Sequence, residues 1–220
     1  MPNPNTDSPP HKEQASLHPF EHEEPIQVKQ FRVDDLPAGK ISTLNVEIVT
    51  DALNIPITVP VIVAKGTKPG PVLGLTAALH GNELNGILVI QEFLQSVDPG
   101  ALKGVIAGVP VVNVPGYLFN QREYFDGFDL NHIMPGKREG KRSEVYAYRL
   151  VNRIISQFNH LIDFHTASFG RINSHYVRAN LAQVETARMA RMQHTQIILH
   201  SVARDDCVLP RVLQGSRYLS

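Results

Sequence analysis

The chain has 220 residues, enough for one sizeable domain, and balances 21 basic against 21 acidic side chains. That balance, with an isoelectric point near 7.2, gives no electrostatic pull toward nucleic acid or an anionic membrane surface. The single cysteine, Cys207, excludes an internal disulfide and a metal site built from thiolates.

The first stretch, up to about Ile26, is polar and rich in proline, with no apolar core of signal-peptide length. It reads as a disordered leader over residues 1–26, its histidines His11, His18 and His22 solvated. No segment approaches the roughly 18–20 consecutive apolar residues of a membrane span, so a soluble, cytoplasmic protein is the expectation.

Residues 27–68 form a β-rich segment. "ISTLNVEIVTD" and "IPITVPVIVAK" flank a turn at Ala52-Leu53-Asn54 and predict two antiparallel strands. "KGTKPGP" breaks that pattern. Pro71 then leads into "VLGLTAAL", a continuous apolar run that suits a strand buried on both faces. The helical spacing of Leu84, Ile87, Leu88, Ile90, Phe93 and Leu94 follows, and "GVIAGVPVV" is another buried strand. From Asn113 to Glu144 no period is clear, and a loop of that length in a compact domain is usually functional. "EVYAYRLVNRIISQF" reads as an amphipathic helix and "HLIDF" as a short strand; "INSHYVRA", "LAQVETARMARMQ" and "TQIIL" continue as strand, helix and strand. Alternation of this kind predicts an α/β fold with a mostly parallel, doubly wound mixed sheet flanked by helices, preceded by a short β-hairpin region. The α/β unit spans residues 69–200, and residues 201–220 form an atypical tail.

Ligands of such sheets bind beyond the carboxyl ends of the strands. His80 stands where "VLGLTAAL" ends, Glu83 opens the next helix, and His165 stands where "HLIDF" ends. Two imidazoles and a carboxylate on one sheet edge suit a zinc ion with an open fourth position, as hydrolysis requires. Each residue also has a plain structural reading: Glu83 as a favourable charge at a helix start, His165 as a hydrogen-bonded core histidine. His132, His160 and His175 are not read as ligands.

In their order, these motifs resemble the aspartoacylase and succinylglutamate desuccinylase family of zinc amidohydrolases, whose fold is zinc carboxypeptidase-like. The resemblance runs from about Val72 to about Leu199. "HGNE" is similar to the family's first ligand motif and "DFHT" to the segment with the third ligand. It thus implies one zinc ion per chain on His80, Glu83 and His165. "QREYFDGFDLNHIMPG" is similar to the family's substrate loop. There Arg122 matches an arginine beside the scissile carbonyl, and Asn131 matches an asparagine that holds the substrate's carboxylate. His132 replaces the usual arginine, and imidazole cannot reproduce a bidentate guanidinium clamp. Arg171 is a candidate replacement anchor, and Asp163 and Asp129 are candidates to orient ligand imidazoles.

The resemblance implies a deacylase that cleaves an amide bond in a small N-acylated amino acid or amine. The charge balance and the absence of an apolar span point to neither nucleic acid nor membrane as partner, and no oligomeric state is read from the sequence. The family's general base is a glutamate well downstream of the third ligand. After Glu185 this chain has no glutamate, and Asp205 and Asp206 are its only later carboxylates. The reading is therefore of a chain truncated or altered near its end, retaining the zinc cradle. A carboxypeptidase acting on peptides and a non-catalytic zinc-binding or interaction protein are the alternatives.

Overall fold

The computed structural model describes residues 24–167, 171–201 and the backbone of 217–219. Nine strands form one mixed sheet in the order β1-β2-β3-β5-β4-β6-β9-β7-β8. The strands are β1 (Ile26–Val28), β2 (Lys40–Thr50), β3 (Pro56–Lys65), β4 (Lys68–Ala77), β5 (Lys103–Val109), β6 (His160–Phe164), β7 (Tyr176–Ala179), β8 (Ile197–His200) and β9 (Arg217–Leu219). Around β4 the pairing is parallel, to β5 on one side and β6 on the other. The long β2–β3 pair is antiparallel, as its sequence predicts, and β3 joins it antiparallel to β5.

Alternation along β3 sends its two faces to different helices. Val59, Val61 and Val63 are buried in the cluster that contains Tyr146, Ala147, Leu150 and Val151 of α4 (Arg142–Arg153). Ile62 and Ala64 face the other way, into the cluster with Ile90 and Leu94 of α1 (Asn85–Ser96). Period two in the strand and spacings of three to four in the helices thus give a doubly wound sheet with a core on each face. On α5 (Val184–Met192), Ala190 closes a third small cluster with Val177 and Ala179 of β7.

Several sequence boundaries shift. β4 starts at Lys68, inside the predicted break, and its register to β5 slips between Lys68 and Val72. Pro71 lies in that slip, where a residue without an N–H is tolerated in a strand. β1, unpredicted, adds a parallel edge beside β2. The aperiodic segment after β5 contains two short helices, α2 (Val114–Leu118) and α3 (Leu130–Ile133). Side chains rather than a repeat hold it in place. Asn113 accepts from Gly116 N at 3.0 Å, Asp129 from Asn131 N at 2.9 Å, and Asp126 from Ser143 N at the start of α4 at 3.0 Å. His11, His18, His22, Asp205, Asp206 and Cys207 lie outside the described residues.

Candidate metal centre

His80 and His165 reach one place because β4 and β6 are parallel neighbours in a fixed register. Thr76 pairs with Asp163, so His80 follows four residues after one partner and His165 two residues after the other. Glu83 lies in the turn before α1, which begins at Asn85 rather than at Glu83. The turn is tied back by Glu83 N donating to His80 O at 3.0 Å. Gly81 lets the next loop pack directly against it: Gly81 N donates to Arg122 O at 3.3 Å. A Cβ on Gly81 would occupy the space of the Gly116 and Tyr117 backbones.

The donor atoms of His80, Glu83 and His165 all lie within 4.8 Å of one another. Nδ1 of His80 is 2.8 Å from Glu83 Oε1, Nδ1 of His165 is 3.0 Å from Glu83 Oε2, and the two Nδ1 atoms are 3.2 Å apart. Bond lengths of about 2.0–2.1 Å around a tetrahedral zinc ion place neighbouring donors about 3.3 Å from each other. The nitrogen and oxygen donors and their spacing therefore fit zinc. The His80 and Glu83 side chains are 4% and 6% exposed, whereas His165 is 27% exposed, so the cluster opens to solvent on the His165 side.

Each imidazole has a carboxylate behind it. Nε2 of His165 lies 2.8 Å from Asp163 Oδ2, and Nε2 of His80 lies 3.4 Å from Asp129 Oδ1, a charge contact without hydrogen-bond alignment. Asp163 in turn accepts from Thr76 Oγ1 at 2.6 Å. Asp129 is ion-paired with Arg122, whose Nε and second terminal nitrogen lie 3.1 and 3.0 Å from its Oδ2. The other terminal nitrogen of Arg122 is 3.4 Å from Glu83 Oε1, and Thr166 N donates to Glu83 Oε2 at 3.0 Å.

Burial disfavours every charge in this cluster, but the partners outweigh it. Hydrogen bonds from His165 and His80 hold Glu83 down to about 2. Asp163 and Glu83 push His165 up to about 10. His80 is raised by Asp129 and Glu83, and Asp129 is depressed by His80, the Asn131 N–H and Arg122. In a metal-free chain, protons thus supply the positive charge that the carboxylates demand, at the donor atoms a cation would take.

A cleft of about 570 Å³ opens from the cluster. Arg122, Asn131 and Arg171, three of the sequence candidates, line it, and so does Arg178, which sequence reasoning did not single out. His132, a sequence candidate for substrate contact, is exposed on α3 and is not among the lining residues. His175 lines the cleft just before β7, and His160 begins β6 away from it. The signal for Arg178 was the alternation of β7: Val177 and Ala179 are buried, which leaves Tyr176 and Arg178 exposed to the cleft.

A doubly wound mixed sheet with two imidazoles and a carboxylate gathered beyond its strand ends places the molecule among zinc carboxypeptidase-like α/β folds. Residues 69–207 match the succinylglutamate desuccinylase/aspartoacylase catalytic domain, and the chain belongs to that family. It is 29% identical over 139 residues to N-alpha-acetyl-L-2,4-diaminobutyric acid deacetylase of Halomonas elongata, covering 62% of this chain and 39% of that protein. In fold it is similar to an aspartoacylase family protein from Mesorhizobium loti, with TM-score 0.73, 21% identity, and coverage of 84% of this chain and 61% of that one. A succinylglutamate desuccinylase/aspartoacylase from Rhodobacter sphaeroides gives TM-score 0.69 at 21% identity, with coverage of 84% and 59%. The chain therefore spans less than two thirds of the length of each of these relatives. Among the described residues no helix is long and apolar enough to cross a membrane.

Proposed function

We propose that this chain carries the zinc site of an amide hydrolase that removes the acyl group from a small N-acylated amino acid. The observation that carries the reading is the convergence of His80 Nδ1, Glu83 and His165 Nδ1 at an open cleft. Membership in the desuccinylase and aspartoacylase family supports it, as does the likeness to a diaminobutyric acid deacetylase.

His80, Glu83 and His165 would hold one zinc ion, which when bound supplies a Lewis acid for the scissile carbonyl and lowers the pKa of water. Asp163 accepts from the outer nitrogen of His165 and so keeps its Nδ1 aimed inward, while Asp129 sets a carboxylate charge 3.4 Å from the outer nitrogen of His80. Arg122, clamped by Asp129, presents a fixed cation at the cleft for the charge that develops on the carbonyl oxygen. Asn131 and Arg171 bind the polar end of the substrate. Charge balance favours an N-acyl amino acid over an N-acylated amine. Among the described lining residues Glu83 is the only acid, and its oxygens already face His80, His165, Arg122 and Thr166 N. Arg171 and Arg178 have no acidic partner among the described residues, so they suit a substrate carboxylate.

One observation favours a second reading. No described cleft residue besides Glu83 carries a carboxylate that could take the proton from water and deliver it to the departing amine. A zinc-binding protein without turnover would have this composition. Zinc content and amine release from N-acetyl amino acids, measured on the 220-residue chain, separate the two. Deacylation that is lost on chelation and restored by zinc supports the hydrolase. One zinc per chain with no amine released selects the second reading, and no zinc retention at all defeats both.

A further inference from the structure

Thr76 and Asp163 stand opposite each other in the parallel pairing of β4 and β6. Both are buried, 1% and 2% exposed. The Thr76 hydroxyl donates to Asp163 Oδ1 at 2.6 Å, and Asp163 Oδ2 accepts from His165 Nε2 at 2.8 Å. An ionised carboxylate only accepts, so a hydroxyl facing it has to donate. The threonine side chain is stiff at χ1, which makes that donor a fixed point on the strand. With Oδ1 held by Thr76, Asp163 cannot turn away without giving up that buried hydrogen bond, and Oδ2 stays aimed at His165. An imidazole that gives its Nε2 proton to Oδ2 keeps Nδ1 for a cation.

We propose that Thr76 is a positioning residue of the metal centre: through Asp163 it sets the orientation of the His165 ring and the availability of its Nδ1. Thr76 touches neither the donor atoms nor the cleft, and nothing in its local sequence marks it for this task. It acts because the register places it across from Asp163 on the rung just before both ligand-bearing strand ends. The inference rests on the metal reading given above for its effect on zinc, but not for its effect on the His165 ring.

The test has two arms. In the first, zinc affinity is measured by chelator competition for the wild-type chain, Thr76→Val and Thr76→Ser. Loss of the hydroxyl weakens zinc binding by about tenfold, as for other outer partners of ligand histidines, whereas Thr76→Ser stays within about twofold of wild type. In the second, exchange of the His165 Nε2 proton is followed by NMR of the metal-free chains with 15N-labelled histidine. That proton exchanges faster in Thr76→Val and at the wild-type rate in Thr76→Ser. If Thr76→Val does not fold, Thr76→Ala against Thr76→Ser makes the same comparison with one oxygen removed. Equal zinc affinity and equal ring-proton exchange with and without the hydroxyl, in folded proteins, overturn the proposal, even if stability falls. A wild-type chain that binds no zinc sinks the metal reading instead, and the ring-proton arm still decides the role of Thr76.

Discussion

On one wall of the cleft, His80, Glu83, His165 and Arg122 are locked to one another and to Asp129 and Asp163, and their geometry is complete without a ligand. On the other wall, Arg171 and Arg178 are exposed and have no acidic partner among the described residues. The first wall is made by the ends of paired strands and by a turn packed against backbone. The second is made by one face of a short strand and the segment before it. The difference separates what the fold assembles from what an arriving molecule must complete. It predicts that substitutions on the two walls fail in different ways: on the first through stability and metal retention, on the second through substrate affinity alone.

The largest effect is expected at Gly81. A side chain there would collide with the Gly116 and Tyr117 backbones, which cannot rotate out of the way as a flexible side chain could. The turn that carries His80 and Glu83 would separate from the loop that carries Arg122. Gly81→Ala is expected to lower unfolding stability by about 3 kcal/mol or more and to lose bound zinc, read by urea denaturation and metal analysis. A folded variant with full zinc content would mean that the first wall is not held by this contact.

The same contrast explains what the sequence made legible. Valine alternation in β3 and the spacing of Tyr146, Ala147 and Leu150 in α4 are local patterns, and they predict the layers. Strand ends in such a sheet share an edge, so His80, Glu83 and His165 could be gathered although His80 and His165 are 85 positions apart. Register between non-consecutive strands has no local signature. Thr76 therefore looked like an ordinary strand residue, although it bonds to Asp163 across 87 positions. The loop after β5 showed no period because it is held by side-chain caps from Asn113, Asp126 and Asp129. Arg122 was expected to face substrate; that it is also ion-paired to Asp129 depends on the loop's tertiary path.

Substitution on the second wall should be milder and confined to binding. Arg178→Gln keeps the polar character of the side chain and removes its charge. KM for an N-acetyl amino acid is expected to rise about tenfold, the loss of one charge-assisted contact to a carboxylate, with kcat and zinc content unchanged. The increase should shrink for an N-acetylated amine that lacks a carboxylate. An equal rise for both substrates would show that Arg178 shapes the cleft rather than reading charge.

pH gives a smaller effect that isolates the first wall. His165 is raised from 6.5 to about 10, so its contribution to the stability of the metal-free chain is full below about pH 6.5 and is lost as pH rises toward 10. Glu83 is lowered from 4.5 to about 2, so its contribution is present above about pH 4.5 and is lost as pH falls toward 2. The cluster therefore stabilises the metal-free chain most between about pH 4.5 and 6.5. Zinc needs unprotonated imidazoles and competes with those protons. Adding zinc should move the optimum to higher pH in urea unfolding midpoints, and an optimum that does not move with zinc would separate the metal from this cluster.

The smallest effect belongs to His132, and it tests the comparison most directly. By its place in the loop after Asn131 it should act with the first wall, yet its side chain is exposed on α3 and is not among those lining the cleft. If position in space decides, His132→Ala should change zinc affinity, KM and kcat by less than about twofold, the scale of surface substitutions. If the motif's spacing decides, the same substitution should raise KM as Arg178→Gln does. A double variant, His132→Ala with Arg178→Gln, separates the cases further. Should the substrate's anion rest on the second wall, the double variant matches Arg178→Gln alone. A further rise in KM beyond that single variant would return His132 to the site and make the two walls share the anion.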